Sequence, residues 1–182
     1  MGRAALPPGE AVRAVAAAVR SEPIPRVVAM SLWRHCLEGL DDPERHLGAG
    51  VTWDLPAEDR YYRLTSAPSG ASVGLGWTRR FAASGFVRWY GFALLPDVHG
   101  AGLASPSSLA MLRAVFADFP DCTTALAMIH SSNPRERWRL SLEGRGPGRY
   151  VGELLSTTPE GGSIHMIQIT REAWLRYSNK GE

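Results

Sequence analysis

An apolar strand that runs straight into a glycine-spaced turn at a helix start is a place where an anion can be held. The chain carries one at Leu94-Leu95-Pro96-Asp97-Val98-His99-Gly100-Ala101-Gly102-Leu103-Ala104. A turn of this kind leaves successive backbone N–H groups without intrahelical partners and aims them, with the positive end of the helix dipole, at one point. Gly100 and Gly102 let a ligand approach the backbone with no Cβ in the way. Binding of a phosphate or pyrophosphate is the chemistry these residues suggest. Gly-x-Gly also suits an ordinary strand-to-helix connection, and with 19 glycines in the chain that alternative stands beside it.

The turn needs a helix behind it and a sheet before it. Leu109, Leu112, Val115, Phe116 and Phe119 recur at helical spacing and predict a helix from Ala104 to Phe119, stopped at Pro120. Upstream, strands are expected over Tyr61–Thr65, Ser72–Trp77 and Phe86–Leu95, with a turn at Pro68-Ser69-Gly70, as an antiparallel meander that leads into the cradle. Downstream, Thr124–Ile129 reads as a buried strand ending in His130-Ser131-Ser132-Asn133. A helix from Pro134 to Leu142, ending at Gly144, and a strand beginning near Tyr150 follow. The N-terminal part reads as helical, with helices over Gly9–Arg20 and Val27–Leu40 separated by Pro23 and Pro25, and the reading finds no opening strand there.

At 182 residues, 45% of them apolar and six of them Trp, the chain suits one domain with a substantial core. A formal charge of +2 is too small to argue for nucleic acid. Cys36 and Cys122 have no metal-type spacing and read as buried free thiols, so no metal is expected. The absence of a signal-type leader or of a run of membrane-spanning length predicts a soluble, cytoplasmic protein with no membrane partner.

Several motifs in order resemble the GCN5-related N-acetyltransferase family across the C-terminal half to two-thirds of the chain. In that family a strand ending in Pro precedes a run of Arg or Gln and small residues whose amides hold the pyrophosphate of acetyl-coenzyme A. His99-Gly100-Ala101-Gly102-Leu103-Ala104 is similar to that run, with His99 where Arg or Gln is usual. Asn133 stands where the family places an Asn before its next helix, and Arg145 replaces the Phe of the family's Leu-Gly-Phe ending. Ile167-Gln168-Ile169-Thr170-Arg171-Glu172-Ala173-Trp174 is similar to the finish of the ribosomal-protein N-acetyltransferase branch.

The resemblance implies an α/β fold with a mixed, mostly antiparallel central sheet flanked by helices. It implies one acyltransferase domain over residues 1–182, with a variant helical region over about the first 50. Acetyl-CoA, or another acyl-CoA, is the implied cosubstrate, and a primary amine of a protein, peptide or small molecule the implied acceptor. No nucleic acid is implied, and a homodimer is left open. The implied cofactor contacts are Leu94, Leu95, His99, Gly100, Ala101, Gly102, Leu103, Ala104 and Asn133. Among Arg135, Arg137 and Arg139, spread around the expected helix, Arg137 is the candidate for the adenosine 3′-phosphate, and solvent-facing arginines are the alternative.

Direct transfer requires a neutral amine, a base to take its proton, and a donor for the tetrahedral oxyanion. In this fold the donor is a strand amide, here within Ala93–Leu95. The strand Phe86–Phe92 has no carboxylate, and Leu140 stands where the branch has a Tyr. His130 is therefore the candidate base and Tyr90 the candidate donor to the leaving thiolate; a backbone-bonded histidine and a packed tyrosine are the alternatives. Trp53, Tyr61, Tyr62, Trp77 and Trp89 are candidates for an aromatic acceptor pocket or for core, and Asp54, Glu58 and Glu153 for pairing with a cationic amine. A catalytically inactive acyl-CoA sensor is the alternative function, because the usual strand carboxylate and Tyr are missing.

Overall fold

Alternating side chains on successive extended segments assemble into one sheet, in the computed structural model that describes residues 18–40, 54–81, 85–130, 146–155 and 163–179. Its strands are β1 (Val19–Ile24), β2 (Arg60–Ser66), β3 (Ser72–Arg80), β4 (Val87–Leu94), β5 (Thr124–His130), β6 (Arg149–Leu155) and β7 (Ser163–Thr170). They lie in the order β1-β2-β3-β4-β5-β7-β6. Every neighbouring pair is antiparallel except β4 and β5.

The period of two decides which helix each residue meets. On one face α1 (Arg26–Glu38) brings Trp33, Cys36 and Leu37 against Tyr61, Leu75 and Ala93. On the other, α2 (Ala104–Asp118) brings Leu109, Met111, Leu112, Val115 and Phe116 against Tyr62, Leu64, Tyr90, Ala127 and Ile167. Tyr61 and Tyr62, adjacent in sequence, thus belong to opposite cores. The close approach of α2 to β3 depends on Gly76, where a Cβ would stand 2.1 Å from Met111 Sδ.

The N-terminal expectation is corrected at Val19–Ile24. The helix expected over Gly9–Arg20 does not extend to Val19 and Arg20, which open an edge strand paired with β2, from Val19↔Ser66 to Ile24↔Tyr61. Pro23 is tolerated because an edge strand leaves half its backbone groups without a neighbour. Val19 reaches one core and Ile24 the other, and the exposed Arg20, Glu22 and Pro23 between them leave the strand no apolar period. Ser21 Oγ ties it to α2 by donating to Ala110 O at 3.1 Å. The rest of the expected first helix, and the expected helix Pro134–Leu142, lie outside the described residues.

Two polar contacts fix the frame. Asp59, with a side chain only 2% exposed, receives Arg79 Nε at 2.8 Å and Nη2 at 3.0 Å, so its buried charge is met by a two-pronged partner. Arg171, first residue of α3 (Arg171–Asn179), donates to Cys122 O at 2.9 Å, Phe116 O at 2.9 Å and Phe119 O at 2.7 Å. It thereby closes the C-terminal end of α2, where carbonyls lack helical partners. Thr170 Oγ1 accepts from Ala173 N–H at 3.1 Å and starts α3 as an N-cap.

Both thiols are buried, as the sequence suggested. Burial pushes the Cys36 thiol up to about 12, against a smaller lowering by a backbone hydrogen bond, and burial also raises that of Cys122. At pH 8 roughly one Cys36 in 10⁴ is thiolate. Neither cysteine is expected to react with a thiol-specific disulfide reagent in the native protein at pH 8, and both should react in denaturant. Rapid native labelling of either would contradict their placement.

Candidate active site

The one parallel pairing is also incomplete. β4 and β5 are in register from Val87↔Thr124 to Tyr90↔Ala127, after which β4 continues to Leu94 and β5 to His130 with no further rung between them. The sheet therefore opens into a seam at the C-terminal ends of these two strands. Hydrogen-bond parity tells which backbone groups face it. Phe81 N–H donates to Val87 O and Leu95 N–H to Val73 O, both at 2.9 Å, so the odd-numbered residues of β4 serve β3. The backbone groups of Leu94 accordingly face the seam. Of the three amides within Ala93–Leu95, only that of Leu94 is turned toward the gap between the strands.

Beyond Leu94 the chain turns through the 3₁₀ segment Pro96–Val98 into α2. Gly100 and Gly102 have φ of 82° and 75°, and a Cβ on either would meet nothing within 4 Å. Their backbone angles, together with the open space in front, are what require glycine. Leu103 follows Gly102 with φ −83° and ψ −5°, a left-then-right alternation that turns consecutive amides to one side. Among the described residues, no backbone carbonyl accepts from the amides of Gly100, Gly102, Leu103 or Ala104. The start of α2 has no side-chain cap and no acidic residue in its first turn, so nothing of its own competes for an incoming anion. Pro106 fits that first turn because its missing N–H is not needed there.

Other residues of the expected cradle are spent on the turn itself. The amide of Leu95 goes to Val73 O, that of His99 to Pro96 O at 3.0 Å and that of Ala101 to Val98 O at 3.2 Å. His99 Nε2 lies 3.0 Å from Leu94 O. A carbonyl only accepts, so this ring carries its proton on Nε2 and folds back over the strand end. His99 thus shapes the turn through its side chain.

The structure places Tyr90 in the core. Its side chain is 4% exposed, faces α2, and its hydroxyl shares a hydrogen bond with Ser108 Oγ at 2.9 Å. Burial raises its pKa well above the ordinary value, the Ser108 bond opposing this. His130 closes β5, paired with Ile164 across β7, beyond the last β4–β5 rung. The side chain of His130, together with Trp53, Asn133 and Arg137, lies outside the described residues.

Tyr61 and Tyr62 are core. Trp77 is different: a Cβ on Gly91 would stand 2.5 Å from Trp77 Cζ2, so the indole lies flat against Gly91, the first β4 residue past the last rung. Trp33 meets it edge-on at 5.5 Å. The seam thus opens beside an indole on the α1 face. Glu153 pairs with His165 Nδ1 at 3.1 Å, within ion-pair reach but not aligned as a hydrogen bond. His165 stands beside Ile129 on β5, level with the open part of the seam. Sequence reasoning passed over it, because a lone His in an apolar strand carries no spacing signal. Among the described residues no group of side chains is arranged to hold a metal, and no helix is long and apolar enough to cross a membrane.

No protein-family model and no curated protein matches the chain. Its architecture does match solved structures. The aminoglycoside acetyltransferase AAC(6′)-Ib in complex with coenzyme A superposes with a TM-score of 0.65 at 19% identity, over 88% of this chain and 99% of that one. A spermidine N-acetyltransferase SpeG chimera from Vibrio cholerae does so with a TM-score of 0.65 at 13% identity, over 87% and 98%. Across so low an identity the likeness is one of architecture: the chain has the GCN5-related N-acetyltransferase fold, a mixed, mostly antiparallel sheet whose single parallel pair splays ahead of the α2 turn.

Proposed function

We propose that the chain is an N-acetyltransferase that moves the acetyl group of acetyl-CoA directly to a primary amine. The observation that carries this reading is the coincidence of an open β4–β5 seam with an uncapped amide cradle at the start of α2. The cradle takes the pyrophosphate through Gly100, Gly102, Leu103 and Ala104. The pantetheine arm runs along the seam, and the amide of Leu94 donates to the thioester oxygen as it becomes an oxyanion. Asn133 orients the arm and Arg137 meets the 3′-phosphate. The acceptor enters on the α1 face beside Trp77, whose ring favours a cationic amine. Similar structures include an aminoglycoside acetyltransferase in complex with coenzyme A and kanamycin, and a spermidine N-acetyltransferase. The finish Ile167–Trp174 resembles the ribosomal-protein branch and favours a peptide amine.

His130, at the end of β5, is the base we assign, directly or through water. His130→Ala should lower turnover at saturating thioester at least about 100-fold, the lower end of general-base effects, with cofactor affinity retained. Equal turnover across the pH range would remove that role. A second reading, binding without turnover, is favoured by the lack of a carboxylate on β4 and the enclosure of Tyr90. Titration with acetyl-CoA, coenzyme A and ADP, followed by thiol release over peptide N-termini, polyamines and neutral amines, separates the two. Release with a cationic amine supports the enzyme. Tight binding without release supports the sensor, and no binding removes both.

A further inference from the structure

At the end of the sheet opposite the cradle, three arginines converge on the α2 face. Arg60 on β2, Arg80 on β3 and Arg88 on β4 share that face through the register Arg60↔Thr78, Thr78↔Tyr90 and Arg80↔Arg88. Arg80 and Arg88 form a non-hydrogen-bonded pair, the kind in which facing side chains come closest, and like charges placed so repel. Arg88 is only 7% exposed. Its guanidinium lies 3.3 Å from the centre of the Phe119 ring, and that of Arg60 lies 5.0 Å from the same ring. The Nε of Arg88 is buried and bonds to nothing.

Among the described residues none of the three has a carboxylate partner. The nearby Asp118 accepts from the Tyr62 hydroxyl at 2.8 Å. Burial lowers the pKa of Arg88 and Arg80 lowers it further, Cys122 and Tyr62 oppose this, and Arg60 adds the smallest lowering. Three guanidiniums and one carboxylate leave two positive charges in surplus. A buried cation with an empty donor costs stability that an oxyanion would restore.

We propose that Arg60, Arg80 and Arg88 form a binding site for a phosphate-type dianion, separate from the cradle. Guanidinium forks match phosphate oxygens in pairs, and a dianion neutralises the surplus. The 15-residue α2 separates the site from the cradle by roughly 22 Å. β4 and β5 are fully paired at this end, so the site is not part of the seam.

The test is thermal unfolding of the full chain in inorganic phosphate, and separately in phenyl phosphate, against chloride at matched ionic strength. Wild type, Arg60→Gln/Arg80→Gln and Gly102→Glu are compared; Arg88 is left intact because it is buried. A saturable rise of about 4 °C at tenfold excess over Kd is expected, retained in Gly102→Glu and lost in the double variant. The probe with the lower Kd identifies the occupant as free phosphate or a phosphomonoester. No saturable rise in wild type, an equal rise in the double variant, or its loss in Gly102→Glu would overturn the proposal.

Discussion

Gly102→Glu is expected to weaken coenzyme A binding at least about 100-fold, close to 3 kcal/mol, while leaving the protein folded. The backbone there has a φ of 75°, which costs a side-chain-bearing residue roughly 1–2 kcal/mol. A carboxylate at an uncapped helix start returns about 0.3–1 kcal/mol by accepting from the same amides the ligand would use. The variant would thus cap its own cradle and repel the pyrophosphate. Gly102→Ala has the strain without the charge and should bind coenzyme A with a much smaller loss. Calorimetry that finds Gly102→Glu unchanged in affinity would remove the cradle from the proposed function.

Arg171→Met should lower stability by about 3–4 kcal/mol, a drop in Tm of roughly 10 °C for a chain of this size. Three carbonyls from the end of α2 and the turn after it converge on one guanidinium, which also lies 4.9 Å over the Phe116 ring. Each charge-assisted bond is worth about 1.5–3 kcal/mol, and water replaces part of it because Arg171 is only half-buried. Arg171→Lys keeps the charge but cannot reach three carbonyls in a fixed fork, so it should recover less than half of the loss. A Tm within about 2 °C of wild type for Arg171→Met would show that the clamp is dispensable.

Much of this architecture was legible in the residue order. The clustered large apolar residues of Tyr61–Thr65 and Ser72–Trp77 marked strands, which prove to be buried on both faces, and the helical spacing of Leu109, Leu112 and Val115 marked α2. Arg171 stood inside a recognised motif, but nothing along the chain said that it closes α2 some fifty residues earlier. β1 was missed because an edge strand with Glu22 and Pro23 has too little buried surface to impose a pattern. At the site, the glycines of the turn were legible, since a left-handed backbone demands them. The choice among Ala93, Leu94 and Leu95 was not, because it follows from which β3 residue each amide meets. The arginine cluster was equally hidden: Arg60, Arg80 and Arg88 come together only through strand register.

Among the described residues, four rungs between β4 and β5, with the Thr123 N–H to Phe86 O bond just before them, make the backbone link across the middle of the sheet, joining an N-terminal set of four strands to a C-terminal set of three. Beyond Tyr90 and Ala127 the amides that face this gap lack a neighbouring strand, so hydrogen–deuterium exchange should begin there well before it reaches β3 or β7. An extended ligand lying in the gap would act as a strand of its own, slowing exchange at Leu94 and binding the two halves of the sheet into one unit.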